Sequence, residues 1–161
     1  MALNGPARRG FLPRRIVSGG QAGVDRAALD VALALGFEVG GWCPAGRKAV
    51  DGPIDPRYPL TETPSPGYRQ RTGWNVRDSD ATLILTLGAL RGGSALTRSL
   101  ALQQGKPCLV VDLKDEGGLA VARAWLSQIG PESLNVAGPR ESGENPVGEN
   151  AREWLEGLLG R

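Results

Sequence analysis

The sequence predicts a Rossmann-like, doubly wound α/β fold: a single domain with a mainly parallel sheet and helices on both of its faces. Segments typical of strands alternate with segments typical of helices along the chain. The strand segments are nearly continuous apolar runs, such as "ATLILTL" and "KPCLVVDL", which is typical of parallel strands covered on both faces. Most of the 24 glycines lie at the joints between these elements.

The chain begins with a basic segment, "ARRGFLPRR", that lacks the apolar region of a secretory signal. We interpret residues 1–14 as a disordered basic tail. Residues 15–161 then form one domain, because 161 residues is an ordinary length for a single domain.

The first half of the domain contains two predicted strands and two predicted helices. "RRIVSGG" is typical of a short buried strand, and "FEVGG" of a second strand. Between them, "GVDRAALDVALALG" predicts a helix that ends at Gly36, with an apolar face of Val24, Ala28, Val31 and Leu35. The prolines and glycines of residues 42–67 exclude long regular structure and predict a functional or disordered loop. "YRQRTGWNVRDSD" predicts a helix.

The second half continues the alternation. "ATLILTL", "KPCLVVDL" and "SLNVAG" predict strands. "SALTRSLALQQG" predicts a helix with Ser94 as its N-cap and Gly105 at its end. The helix "GGLAVARAWLSQIG" is expected to face inward with Leu119, Ala122, Trp125 (or Leu126) and Ile129. Asn145 and Pro146 are suited to cap and open a closing helix that carries Trp154, Leu155 and Leu158.

Composition excludes several classes of function. The formal net charge of +2 gives no basis for a nucleic-acid partner, and no apolar run reaches the ~18 residues of a membrane span. Two cysteines, Cys43 and Cys108, give no disulfide framework and suit the cytoplasm; we interpret both as packed side chains. The absence of histidine removes the commonest general base and transition-metal ligand. We expect no metal site.

The first glycine-rich joint lies where ligands bind in such folds, beyond the carboxyl end of a strand. Gly19, Gly20 and Gly23 stand at the start of a helix, where unpaired amides favour an anion such as phosphate. The alternative is a merely tight turn. Asp25 has two interpretations as well: it favours the helix dipole, or it accepts a hydroxyl or amine of a ligand.

The second glycine-rich joint, residues 88–97, repeats the pattern and favours a phosphorylated or nucleotide-like ligand. Two further segments lie beyond strand ends. In one, Arg47 and Lys48 accompany two aspartates, either as part of the site or as a solvated loop. In the other, Arg140 and Ser142 follow the last strand, where arginine can hold an oxyanion through two hydrogen bonds. We expect the two glycine-rich joints and the segment "GPRES" to converge on one cleft.

Taken together, five segments resemble a family, in order and nearly throughout residues 15–159: "SGGQAGVDRAALDVALALG", "GGWCPAGRKAVDG", "NVRDSDATLIL", "RGGSALT" and "GPRES". They resemble the putative molybdenum carrier proteins, in the circularly permuted branch of the SLOG superfamily, which are relatives of the LOG or lysine-decarboxylase-like proteins. The resemblance implies a Rossmann-like SLOG ligand-binding domain over residues 15–161 and a nucleotide-like ligand. For the carriers, that ligand is the molybdenum cofactor, a pterin phosphate. A homo-oligomer, dimer or tetramer, is also implied.

Two wider resemblances assign roles. "SGGQAGVDRAALDVAL" is similar to the glycine-rich motif of the DNA-processing protein A family, with Leu29 in place of its usual histidine. Residues 68–100 are similar to the LOG phosphoribohydrolase segment, in which Arg71 and the pair Gly92–Gly93 match. Thr72 replaces that family's lysine, Arg91 replaces its proline, and no glutamate follows Thr97.

The missing glutamate is the residue that would support N-glycosidic cleavage, so the resemblance implies binding without catalytic residues. The alternatives are a LOG-type nucleoside 5'-monophosphate phosphoribohydrolase and a nucleotide-sensing module. The predicted ligand-binding residues are Gly19, Gly20, Gln21, Gly23, Asp25, Arg47, Lys48, Arg71, Asn75, Gly88, Gly92, Gly93, Ser94, Thr97, Arg140 and Ser142.

Overall fold

The computed structural model describes residues 11–160 and contains five helices and seven strands within them. In chain order these are β1 (Arg15–Val17), α1 (Val24–Ala34), β2 (Glu38–Gly40), β3 (Trp42–Cys43), β4 (Thr61–Glu62), α2 (Tyr68–Arg77), β5 (Ala81–Thr86), α3 (Gly92–Gln103), β6 (Cys108–Asp112), α4 (Gly118–Ile129), β7 (Ser133–Ala137) and α5 (Val147–Leu159). Five strands form one parallel sheet in the order β2-β1-β7-β5-β6.

The helices lie in two layers, one on each face of this sheet. α1, α4 and α5 share one apolar core with the sheet, whereas α2 packs against α3. The crossovers β1–α1–β2 and β5–α3–β6 run in opposite directions from the middle of the sheet. Because such crossovers are right-handed, α1 and α3 lie on opposite faces. The predicted Rossmann-like fold is confirmed.

The two faces of the sheet differ in polarity. Leu83 and Leu85 of β5 and Leu134 of β7 belong to the main apolar core. Since side chains alternate along a strand, the residues between them point to the α2–α3 face. There Asn135 donates a hydrogen bond to Thr82 across 3.3 Å, and both are buried. A buried polar pair thus lies beneath the layer of α2 and α3.

The long loop after β2 is a folded unit with its own core. β3 and β4, which periodicity did not predict, pair in parallel there. A second apolar cluster forms beneath the loop from Leu29, Cys43, Ala49, Ile54, Tyr58 and Leu60. The Arg47 guanidinium donates hydrogen bonds to four main-chain carbonyls, those of Ile54, Asp55, Tyr58 and Leu60. The loop is therefore held by buried contacts that a count of prolines and glycines cannot reveal.

Several local predictions were wrong. Arg91, not Ser94, is the N-cap of α3; Ser94 lies inside the first turn, and its buried Oγ has no hydrogen-bond partner in the described part of the chain. Ile129 and Leu35 each stand at a helix end and are 38% and 39% exposed, so neither faces inward. Cys108 is only half-buried, because β6 is an edge strand.

The predicted tail lies only partly within the described residues, since residues 1–10 fall outside them. Phe11 and Leu12 pack against the main core. The Arg14 amide donates to the Glu132 carbonyl across 2.9 Å. Residues 11–14 therefore pack onto the domain, because the apolar side chains of Phe11 and Leu12 bury surface against the main core. No helix of the described chain is long and apolar enough to cross a membrane.

Candidate functional site

A cavity of about 520 Å³ opens beyond the carboxyl ends of β1 and β7, on the side of α2 and α3. Segments distant in sequence form its wall: the first glycine joint, the second glycine joint and the loop after β7. The predicted convergence of these joints is confirmed. The wall consists of Gly19, Gln21, Asp25, Tyr68, Arg71, Thr72, Asn75, Arg91, Gly92, Gly93, Leu96, Thr97, Asn135, Ala137, Gly138, Pro139 and Arg140.

The structure divides the residues predicted to bind a ligand into two groups. Those that line the cavity are Gly19, Gln21, Asp25, Arg71, Asn75, Gly92, Gly93, Thr97 and Arg140. Those outside its wall are Gly20, Gly23, Arg47, Lys48, Gly88, Ser94 and Ser142. The binding role of the first group stays a prediction, whereas the members of the second group other than Ser94 make contacts within the protein.

Gly20 and Gly23 are required by the packing of the protein itself. Both have positive φ, 81° and 115°, which side chains rarely tolerate. A Cβ atom on Gly20 would lie 2.6 Å from the side chain of Leu60, and one on Gly23 would lie 2.6 Å from the carbonyl oxygen of Pro139. Of the two interpretations of this joint, close protein contact accounts for these two glycines.

Three amides at the first glycine joint, those of Gln21, Ala22 and Val24, already have acceptors. The Gln21 amide donates to Asp25 Oδ2 (3.3 Å), and the Ala22 amide donates to the Gln21 side chain (3.1 Å). The Val24 amide donates to the carbonyl of Pro139 (3.3 Å). The first glycine joint therefore resembles a closed turn more than an open anion site.

Four other predicted residues lie in structural contacts. Arg47 holds the long loop, as described above. The Lys48 ammonium lies 5.4 Å from the centre of the Tyr68 ring, at the outside of the cavity wall. Ser142 Oγ accepts a hydrogen bond from the amide of Asn145, and the Gly88 amide donates to Asp112.

Asp25 and Arg71 form a buried pair of opposite charges in the cavity wall. They are 7% and 8% exposed, and Arg71 Nη1 lies 3.8 Å from Asp25 Oδ2. The same nitrogen donates a shorter hydrogen bond, 2.8 Å, to the carbonyl of Gly19. Burial raises the pKa of the Asp25 carboxyl above its ordinary value, although the charge of Arg71 opposes that rise. Arg71 thus compensates this carboxylate only in part.

Asn75 lines the cavity, but its side-chain amide is hydrogen-bonded to the main chain of Trp42. Its Oδ1 accepts the Trp42 amide at 2.7 Å, and its Nδ2 donates to the Trp42 carbonyl at 3.0 Å. Asn75 therefore joins α2 to β3 as a main-chain partner would.

The start of α3 differs from the start of α1 in that its first amides lie at the cavity without acceptors among the described residues. The amides of the first turn of a helix have no partner within the helix, and the glycines at this position, Gly92 and Gly93, line the cavity. Two exposed arginines of the wall, Arg91 and Arg140, have guanidinium groups without a hydrogen bond or ion pair to any residue of the range 11–160. This side of the cavity offers donors and positive charge.

Sequence reasoning missed part of the wall, above all Tyr68, Arg91 and Asn135. Asn135 carried a signal, because it is an amide inside the otherwise apolar strand "SLNVAG". Arg91 was noted only as a departure from a motif. Tyr68 stands three residues before Arg71 on α2, so the two share a helix face, and the Arg71 guanidinium lies 5.2 Å from the ring centre.

Comparisons with known proteins agree with this architecture. A family model described as the circularly permutated YpsA SLOG family matches residues 16–159. A crystal structure of a protein named "putative molybdenum carrier protein", from Syntrophus aciditrophicus SB, is 43% identical in sequence, with a TM-score of 0.88. The match covers 92% of this chain and 96% of that one. None of the curated proteins matches this chain.

Proposed function

The chain belongs to the circularly permutated YpsA SLOG family, and on that premise we propose that it binds and carries a phosphorylated pterin or nucleotide. Among pterins we propose the molybdenum cofactor, because the similar crystal structure bears the name of a molybdenum carrier. The cofactor is here a cargo and not a catalytic group. A volume of about 520 Å³ lies within the usual range for small-molecule sites, about 300–1,000 Å³.

The observation that carries the proposal is the open, positive side of the cavity. Arg91 and Arg140 present unpaired guanidiniums, and Gly92 and Gly93 present the free end of α3. Guanidinium groups and helix N-termini both stabilise phosphate-like anions. We place the anionic part of the ligand here, and not on the closed joint at α1.

Binding without turnover fits the residues of the wall. Among the residues that the structure describes, Asp25 is the only carboxylate that lines the cavity. The described residues contain no cluster of ligands for a metal ion. A carrier needs only to bind and release its cargo. The exposed guanidinium groups at the rim of the cavity allow both.

Binding of phosphorylated ligands to arginine variants tests this proposal. Replacing Arg140 or Arg91 by alanine removes a charge-assisted hydrogen bond, which should cost about 1.5–3 kcal/mol, or roughly 10- to 150-fold in affinity. Calorimetry with inorganic pyrophosphate, nucleoside monophosphates and a pterin phosphate measures the change. Arg98→Ala is the matched control, since Arg98 is an exposed arginine of α3 outside the cavity wall.

Two results would contradict the proposal. One is the absence of binding to every phosphorylated ligand by the native protein. The other is a release of ribose 5-phosphate from nucleoside monophosphates at more than a few turnovers per minute, which Asp25→Asn abolishes. In that case the protein would be a hydrolase and Asp25 its catalytic carboxylate.

A further inference from the structure

The cavity is polarised from its buried part to its rim. The unpaired guanidiniums of Arg91 and Arg140 are exposed at the rim, whereas the buried part of the wall combines acceptors with the guanidinium of Arg71. The buried acceptors are the carboxylate of Asp25 and the amide oxygen of Asn135, in side chains 7% and 2% exposed. Asn135 uses its Nδ2 as the donor to Thr82, so its oxygen is the atom left for a ligand. A ligand that fits must carry donors at one end and an anion at the other.

Asp25 retains capacity to accept hydrogen bonds from a ligand. Two main-chain amides already donate to its carboxylate, that of Gln21 through a long bond to Oδ2 and that of Gly138. A carboxylate has about four acceptor positions, so about two are left for a ligand. Arg71 lies closer to the carbonyl of Gly19 than to this carboxylate. The other nearby cation, Arg26, donates both to the carbonyl of Gly20 and to the carboxylate of Asp51. Both neighbouring cations therefore make their hydrogen bonds to other groups, although Arg71 stays within 3.8 Å of Asp25 Oδ2.

A desolvated carboxylate with unused acceptor positions is costly unless a partner supplies donors. Two adjacent N–H groups on a planar ring are the best match, because they meet both carboxylate oxygens at once, as a guanidinium does. Guanine and pterins share that edge: a ring N–H next to an exocyclic amino group, in a 2-amino-4-oxopyrimidine. Hypoxanthine lacks the amino group, and adenine has a ring acceptor in place of the N–H.

We infer that the buried end of the cavity selects a 2-amino-4-oxopyrimidine head, with Asp25 as the specificity-determining residue. The anionic group of the same ligand then lies at Arg91 and Arg140. This inference rests on the proposed function and narrows it to guanine nucleotides and pterin phosphates. It also accounts for a carboxylate inside a cavity that otherwise favours anions.

Titration calorimetry of the native protein with four probes tests the inference: guanosine, inosine and adenosine 5'-monophosphates and neopterin monophosphate. We expect the guanosine compound to bind at least tenfold more tightly than the other two nucleotides, since they leave Asp25 with an unmatched acceptor. A further preference for the neopterin compound over the guanosine compound identifies the source as a pterin, and the reverse preference identifies a nucleotide.

A variant locates the selectivity. Asp25→Asn should weaken guanosine monophosphate at least tenfold, while inorganic pyrophosphate binds as before. Glu116→Gln, which removes an exposed carboxylate outside the cavity, is the matched control and should keep the selectivity. Equal binding of guanosine and inosine monophosphates to the native protein would overturn the inference and leave the proposed function intact. Asp25 would then accept hydrogen bonds from the ribose hydroxyls of the ligand, or it would not contact the ligand. Failure of all probes, pyrophosphate included, would overturn both.

Discussion

At the scale of one residue, the buried position of Asp25 in the cavity wall makes the stability of the folded protein depend on pH. Its carboxylate is buried beside Arg71, with Arg26 as the next charge, and burial still raises the pKa above the ordinary value of 3.8. At a pH between the unfolded and the folded pKa, Asp25 is therefore protonated in the folded protein and ionised in the unfolded chain. The stability this group contributes is fully present below the unfolded pKa and is lost as pH rises through the raised value.

We therefore expect the free energy of unfolding of the native protein, relative to Asp25→Asn, to fall as the pH rises above the ordinary carboxyl pKa of 3.8. The asparagine carries no charge to desolvate, so the variant lacks this loss. Urea unfolding of both proteins at a series of pH values above this one, without ligand, measures the difference. A difference that stays constant or grows with pH would contradict the expectation.

The residues of the two glycine joints also show what a sequence can predict at this scale. The positions of the glycines were correct as joints, because glycine is required where the main chain turns sharply. Whether Gly20 faces a ligand or the side chain of Leu60 depends on a loop some 40 residues further along the chain. No local pattern carries that information. Arg47 gave no better signal, since its four carbonyl partners become neighbours only when that loop folds.

At the scale of elements, α1 and α3 look alike in sequence and differ in chemistry. Both follow a parallel strand and a glycine-rich joint. At the start of α1, three main-chain amides donate hydrogen bonds to the side chains of Gln21 and Asp25 and to the carbonyl of Pro139. α3 instead begins with glycines that line the cavity. The alternation of strands and helices was predictable from apolar runs. Whether the first amides of each helix have acceptors within the protein was not predictable, because that depends on the directions of side chains.

Crystals grown in sulfate should therefore hold an anion at α3 rather than at α1. We expect its oxygens near the amides of Gly92 and Gly93 and near the guanidinium of Arg140. Anomalous diffraction from selenate-soaked crystals locates the anion directly. Density on the amides of Gln21 and Ala22 would contradict this assignment, since those groups would have to exchange their present acceptors.

At the scale of the whole molecule, the surface of α4 gives the clearest indication of assembly. Val121, Trp125 and Ile129 recur every four residues, so they form one stripe. Val121 is 50% exposed, Ile129 is 38% exposed and Trp125 is half-buried. Trp154 of α5, by contrast, is only 9% exposed and belongs to the main core.

We propose that the protein forms a closed oligomer through this stripe, with twofold symmetry as the default. Val121→Glu should shift the protein to monomer, because it would bury an unpaired charge in the contact. Sedimentation velocity at micromolar concentration measures this, with Glu153→Gln, an exposed change on α5, as the control. A native protein that already sediments as a monomer would refute the proposal.

The strand order has a consequence for the synthesis of the chain. β7 lies between β1 and β5, which have no direct pairing with each other. Until residues 133–137 leave the ribosome, the sheet exists as two separate parts, each with an open edge. Chains made at about 5–20 residues per second pass some seconds in that state, which invites pairing with other chains. Chains that terminate before this strand should therefore be substrates for chaperones and proteases. They also lack a complete cavity, because Asn135 and Ala137 of its wall belong to the strand that closes the sheet.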